Sequence, residues 1–174
     1  MDPSRYVEIL EFAAEAHGAG LTPKGHPYVV HLSCVAMELM LALRHEPGRD
    51  EDLAVACALL HDTVEDTAVT VDAVAARFGP RVASGVAALT KDPALPKADR
   101  MADSLVRIRR EPPEIAMVKL ADRITNLAPP PPAWTADKIA AYRLEGRAIL
   151  DALGGASSWL AARLSDRLAR YPGR

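Results

Sequence analysis

The stretch Asp50-Glu51-Asp52-Leu53-Ala54-Val55-Ala56-Cys57-Ala58-Leu59-Leu60-His61-Asp62-Thr63-Val64-Glu65-Asp66-Thr67 decides how this chain is read. Its centre, Leu53 to Leu60, is the longest strictly apolar run in the sequence. The run is far too short to cross a bilayer. It predicts a helix from about Asp50 to Leu60 that is apolar on every side, and such a helix is buried inside a protein. Polar residues follow it at once. Residues 50–66 hold six acids and no Lys or Arg. Asp62, Glu65 and Asp66 therefore stand at the edge of a core. Acids gathered there repel one another and lose solvation unless a cation or matching donors compensate. A bound metal is the simplest compensation; the other reading is a solvated turn that caps the next helix.

Helix signals continue on both sides of this segment. Upstream, Asp2 and Pro3 open a helix that runs to about His17, ahead of Gly18 and Gly20. A Gly/Thr/Pro loop follows to His26. A second helix spans about Pro27 to His45, with an apolar stripe through Val30, Val35, Leu39 and Leu43. Downstream of the acids, Thr70 caps a short helix that stops at Gly79, and Pro80 opens another to Thr90. Further helices are expected over about Ala98–Arg110, Pro113–Leu127, Thr135–Leu153 and Ala156–Tyr171. The run Pro129 to Pro132 reads as a stiff extended connector. Runs of Val, Ile and Thr are nearly absent and aromatics are only 5%, which leaves little material for strands. The fold class expected is all-α: a helical bundle of about nine helices with short connections, forming a single domain over residues 1–174. The proline run is taken as an internal loop, because the residues beyond it are too few to fold well alone.

The chain has 174 residues, 49% of them hydrophobic and 25% charged. That is an ordinary globular balance and argues against a disordered or acidic solvating protein. The formal net charge is −2, which disfavours sequence-independent binding to DNA or RNA. No transmembrane segment and no secretory signal are visible, so a cytoplasmic location is expected. Cys34 and Cys57 each lie in an apolar helical pattern and are expected as buried, reduced thiols.

Further ligands for a metal are available. His31 lies in Tyr28-Val29-Val30-His31-Leu32, and Asp122 in Val118-Lys119-Leu120-Ala121-Asp122-Arg123. Each has an ordinary alternative: a satisfied core histidine, and a salt bridge to Arg123 or another base. His31, His61, Asp62 and Asp122 together make an N/O set that suits Mn, Fe or Zn better than Ca. Asn126 shares a helical face with Asp122, and Lys138 shares one with Tyr142. Lys97 and Arg100 flank the start of one helix. Acids at the floor of a pocket and bases at its rim suit a phosphorylated ligand. The glycines between Gly18 and Gly25 lack the Gly-x-x-x-x-Gly-Lys-Ser/Thr pattern, so no phosphate-cradling loop is assigned.

The order His31, then His61-Asp62-x-x-Glu65-Asp66-Thr67, Phe78-Gly79, Leu89-Thr90-Lys91, and Lys119-Leu120-Ala121-Asp122-Arg123 with Asn126 resembles the HD-superfamily hydrolases of the RelA/SpoT type. The resemblance covers about residues 3–170. It is nearest to the stand-alone small alarmone hydrolases, the metazoan-type SpoT homologues and their bacterial relatives. It implies an HD-domain helical bundle and one divalent metal, typically Mn2+, held by His31, His61, Asp62 and Asp122. It places an acid pair for water activation at Glu65 and Asp66, with no preference between them. It implies hydrolysis of the 3′-pyrophosphate of guanosine tetra- and pentaphosphate to GDP or GTP and pyrophosphate. Substrate contacts map onto Lys24, Lys97, Asn126, Lys138 and Tyr142. Two positions depart from the family pattern. Thr22-Pro23, with Lys24 following, stands where an Arg-Lys pair is usual, and Leu32 stands where Pro is usual. The first departure motivates a second reading: action on another phosphorylated nucleotide such as NADPH. A third is a non-catalytic nucleotide sensor on the same scaffold.

Overall fold

The computed structural model describes residues 1–173. Among them are ten α-helices and no strand. In chain order they are α1 (Pro3–His17), α2 (Tyr28–Leu43), α3 (Glu51–Leu60), α4 (Thr63–Asp66), α5 (Val71–Phe78), α6 (Pro80–Leu89), α7 (Arg100–Ile108), α8 (Pro113–Asn126), α9 (Ala136–Leu153) and α10 (Ser158–Arg170), with one 3-10 turn at Gly154–Ala156. The all-α expectation is met. The sequence reading lacked α4, a single turn too short to show any periodicity.

Local chemistry sets the boundaries. Asp2, Asp50, Thr70, Thr135 and Ser157 each accept a backbone N–H at the start of the following helix. Gly79 separates α5 from α6 at φ 93°, a conformation a side chain would strain. Arg107 on α7 donates to the carbonyls of Ala87, Ala88 and Thr90. It thereby satisfies the free end of α6 and fixes the segment that leads into Lys91.

Two helices form the centre. Every residue of α3 from Leu53 to Leu60 is buried, as the apolar run demands. α8 is buried from Glu114 to Ile124 although it carries four charged side chains there. α2 packs on both, α1 and α6 cover α3, and α9 and α10 cover α8. Each buried charge on α8 has a partner. Glu114 accepts the Asp50 N–H at 2.9 Å, Lys119 pairs with Asp122, and Arg123 pairs with Glu145. At Gly85 α6 comes close to α3 and α8: a methyl there would lie 2.5 Å from Ile115 Cδ1 and 2.8 Å from Cys57 Sγ. Two expectations are corrected. Val30 is 45% exposed, because α2 turns Leu32, Val35, Ala36, Leu39 and Ala42 inward instead. Cys57 is buried, but Cys34 is exposed on the outer side of α2.

Candidate metal centre and adjoining cavity

The end of α3, the start of α2 and the last turn of α8 meet at one point. His61 follows Leu60 as the cap of α3, so the burial of that helix carries its imidazole inside; it is 2% exposed. His61 Nδ1 donates to the Ala58 carbonyl at 2.9 Å, which turns Nε2 toward the acids. His31 projects from the first turn of α2, and its Nε2 lies 3.3 Å from His61 Nε2. Asp62 occupies the break between α3 and α4, with Oδ2 at 3.0 Å from His61 Nε2 and 3.6 Å from His31 Nε2. Asp122 Oδ1 is 3.5 Å from His31 Nε2 and 3.7 Å from His61 Nε2. The ligating atoms of His31, His61 and Asp122 all lie within 4.8 Å of one another.

Side chains behind these groups fix them. Lys119 Nζ donates to Asp122 Oδ2 at 3.1 Å, and both side chains are 6% exposed. Asn126, one turn on, donates to Asp122 Oδ1. The base that answers Asp122 is thus Lys119, while Arg123 turns away to Glu145. Tyr28 donates its hydroxyl to Asp62 Oδ2 at 2.6 Å. The titration of the cluster follows. Burial alone would lower the His61 imidazole, but Asp62 and Asp122 outweigh it and push it up to about 10. Burial would raise Asp122, yet Lys119, His31 and His61 hold it well below the usual carboxylate range. In the metal-free protein a proton on His61 thus offsets part of the carboxylate charge. Two imidazole nitrogens and two carboxylate oxygens converge with one fixed cation, Lys119, behind them. That donor set and its spacing fit a divalent N/O-bound ion such as Mn, Fe or Zn.

The acid pair divides. Glu65 accepts from the Lys91 backbone N–H and from Lys91 Nζ, both at 2.9 Å. Asp66 makes no such pair; burial and the nearby Asp62 push it above the ordinary carboxylate value. His17, at the last position of α1, stacks on Tyr28, and burial lowers it.

Beside His31 opens a cavity of about 190 Å³. It is smaller than the roughly 300 Å³ of a typical whole-ligand site, so it suits part of a ligand. Thr22, Pro23, Lys24 and His26 line one side, Asn126 and Tyr142 the other, and Pro129 to Pro131 with Trp134 close it. The structure thus brings Lys24, Asn126 and Tyr142 together beside the centre. Lys138 lies over the Trp134 ring at 4.2 Å, behind the cavity wall. Lys97 is exposed on the loop before α7 and does not line this cavity. Arg100 donates to the carbonyls of Pro93 and Leu95, so it fastens its own loop rather than a rim. A larger cavity of about 610 Å³, between α9 and Tyr171-Pro172, is lined largely by aliphatic groups and lacks the centre's histidines and acids.

Sequence reasoning assigned no role to His17, Tyr28, Lys91 or Lys119. Two of them carried a usable signal: Tyr28 precedes His31 by three residues and Lys119 precedes Asp122 by three, so each shares a helical face with a ligand candidate.

An all-helical bundle with a buried His/Asp centre at the junction of its core helices defines a recognisable class. The chain belongs to the HD domain family, which it matches over residues 10–156. It is 32% identical over 171 residues to the mouse guanosine-3′,5′-bis(diphosphate) 3′-pyrophosphohydrolase MESH1, covering 95% of this chain and 93% of that one. It is 38% identical over 120 residues to the Aquifex aeolicus guanosine-3′,5′-bis(diphosphate) 3′-pyrophosphohydrolase, covering 67% of this chain and 16% of that one. The solved structure of a metazoan ortholog of SpoT that hydrolyzes ppGpp superposes with a TM-score of 0.82 at 27% identity, covering 97% of this chain and 96% of that one.

Proposed function

We propose that this protein hydrolyses the 3′-pyrophosphate of guanosine tetra- and pentaphosphate, giving GDP or GTP and pyrophosphate. The observation that carries the proposal is the convergence of His31 Nε2, His61 Nε2 and Asp122 Oδ1, 3.3–3.7 Å apart, with Asp62 Oδ2 at 3.0 and 3.6 Å from the two imidazole nitrogens. The likeness to the named 3′-pyrophosphohydrolases supports it over most of the chain's length.

In this reading His31, His61, Asp62 and Asp122 hold one divalent ion, with Mn2+ as the metal proposed. When bound, the ion polarises the phosphoryl group and lowers the pKa of water. Asp66 takes the proton of the attacking water. Its carboxylate is free of any ion pair, and burial with the nearby Asp62 raises its pKa, which makes it a stronger base than an ordinary carboxylate. Glu65 instead holds Lys91 in place. Water adds to the phosphorus bound to the 3′-oxygen, the bond from phosphorus to that oxygen breaks, and the oxygen takes up a proton. Lys24, Asn126 and Tyr142 receive the nucleoside; Lys97 and Lys138, which do not line the cavity, are left without a contact role.

The chain acts as a single domain over residues 1–174. Contacts of α9 and α10 with α8 support this, because they bridge the proline run. No helix among the described residues is long and apolar enough to cross a membrane. We place the protein in the cytoplasm, with a small nucleotide rather than DNA or RNA as its partner.

A second reading keeps the centre and changes the nucleotide, as in hydrolysis of NADPH. Thr22 and Pro23 favour it, since they line the cavity without a guanidinium. One assay separates the readings. Purified protein with Mn2+ is given guanosine tetraphosphate or NADPH, and released pyrophosphate and phosphate are measured. Pyrophosphate from guanosine tetraphosphate, abolished in Asp62→Ala, is the expected result. Phosphate from NADPH alone establishes the second reading. Binding without turnover of either leaves a sensor and refutes both.

A further inference from the structure

We propose that Tyr28 and His17 form a positioning pair that aims the Asp62 carboxylate at the metal, so that the affinity of the centre is set partly from outside its ligands. The inference rests on the ligand assignment proposed above.

The other ligand candidates are already restrained. Asp122 is held by Lys119 and Asn126, and His61 by the Ala58 carbonyl. Asp62 sits at a break between two helices, where His61 faces it at 3.0 Å but no lysine, amide or backbone group holds it from behind. Its outer-shell contact is the Tyr28 hydroxyl, at 2.6 Å. The Tyr28 ring also meets the His31 ring edge-on, with centroids 5.5 Å apart at 70°. One side chain thus touches two of the four proposed ligands.

Tyr28 is itself backed by His17, whose ring lies parallel to it at 4.4 Å and 12°. The intervening loop locks the two together. Gly20 N–H donates to the His17 carbonyl at 2.8 Å, and the Tyr28 N–H donates to the Gly20 carbonyl at 3.0 Å. His17 Nε2 is buried and has no hydrogen-bond partner. The contact that His17 makes with Tyr28 is therefore the flat face of its ring. His17 acts through Tyr28, and Tyr28 acts through Asp62 and His31. Both are positioning residues, of the kind whose loss weakens a metal site without removing a ligand.

The test is calorimetric titration of Mn2+ into the metal-stripped full chain, with thermal melts of each metal-free variant to show that it folds. Tyr28→Phe keeps the ring and removes the hydroxyl; it is expected to weaken binding about 10- to 100-fold. His17→Ala removes the stack and is expected to weaken binding about three- to tenfold, less than Tyr28→Phe because the hydroxyl remains. His17→Phe restores the stack and should restore wild-type affinity. The double variant Tyr28→Phe/His17→Ala should bind only slightly more weakly than Tyr28→Phe alone, since the hydroxyl is gone and the ring's edge contact with His31 is all that His17 has left to act through. Wild-type affinity in Tyr28→Phe, or losses that multiply in the double variant, overturns the pair. A wild-type protein that takes up no Mn2+ overturns the ligand assignment itself, and that result is read before any variant.

Discussion

Lys119→Met tests whether the centre is built to be one cation short. Lys119 and Asp122 are 3.1 Å apart and each is only 6% exposed. Methionine matches the length of the lysine stem and leaves the packing of α8 intact, so the change isolates the charge. Removing one partner of a buried ion pair costs about 3–5 kcal/mol, because the remaining charge has lost its compensation. Here Asn126 and a protonated His61 still answer Asp122, which puts the loss near the lower figure. In a chain of this length each kcal/mol moves the melting temperature by about 2–4 °C, so a loss of about 3 kcal/mol lowers the metal-free melt by about 6–12 °C. Added Mn2+ should then stabilise Lys119→Met more than wild type, since the incoming ion no longer meets a neighbouring ammonium. The assay is thermal unfolding by circular dichroism, with and without Mn2+, alongside Lys119→Met/Asp122→Asn as the control that removes the orphaned charge. A metal-free Lys119→Met that melts with wild type refutes the reasoning. So does a double variant that melts as low as the single one, because the loss then comes from packing and not from charge.

Three other outcomes are expected. Asp66→Asn should lower kcat on guanosine tetraphosphate by about 100-fold or more, while Glu65→Gln acts mainly on KM by releasing Lys91; steady-state kinetics showing the reverse order would reassign the base. Metal-free Asp66→Asn should be more stable than wild type at pH 7. The folded pKa of Asp66 is raised, so the stability it contributes is present below the unfolded value near 3.9 and lost as pH rises through the folded one; denaturant melts should show the advantage of the variant vanishing on acidification. Gly85→Ala should cost about 1–3 kcal/mol, because the new methyl meets Ile115 and Cys57 where α6 crosses α3 and α8; an unchanged melt would mean that Ile115 moves aside.

Most helices were legible because they are bounded by strong local signals. Asp2, Thr70, Pro80 and Pro113 do in the structure what their chemistry predicts. α4 was not legible, since one turn has no period, and it is held by its place after α3 rather than by propensity. The fate of individual faces was also hidden. Val30 and Cys34 sit in an apolar pattern, yet both are exposed and line the cavity. Within the site, the convergence of His31, His61, Asp62 and Asp122 is a tertiary fact that spacing suggests but does not contain. The partition between Glu65 and Asp66 depends on Lys91, which arrives from the loop after α6. Arg100 shows the opposite hazard: a basic residue beside a loop can be spent on that loop's carbonyls.

The division of labour between helices and loops explains why the Thr22-Pro23 departure is compatible with an intact centre. The groups of the centre come from the rigid part of the fold. α3 cannot turn any face to water, so whatever follows Leu60 is placed at the core's edge with little freedom. α8 carries its charges buried and paired: Glu114 to the start of α3, Arg123 to α9, and Lys119 to Asp122 within α8 itself. Breaking any one of these pairs leaves a buried charge uncompensated. Much of the cavity wall, in contrast, comes from Thr22 to His26 and from Ala128 to Trp134, two connections that contribute no residue to the buried apolar core. Substitution there alters what the cavity recognises and leaves His31, His61, Asp62 and Asp122 where they are. In the proposed reading, recognition of the nucleotide is therefore separable from the centre itself. A graft of Arg-Lys onto positions 22 and 23 should shift preference among nucleotides without shifting Mn2+ affinity.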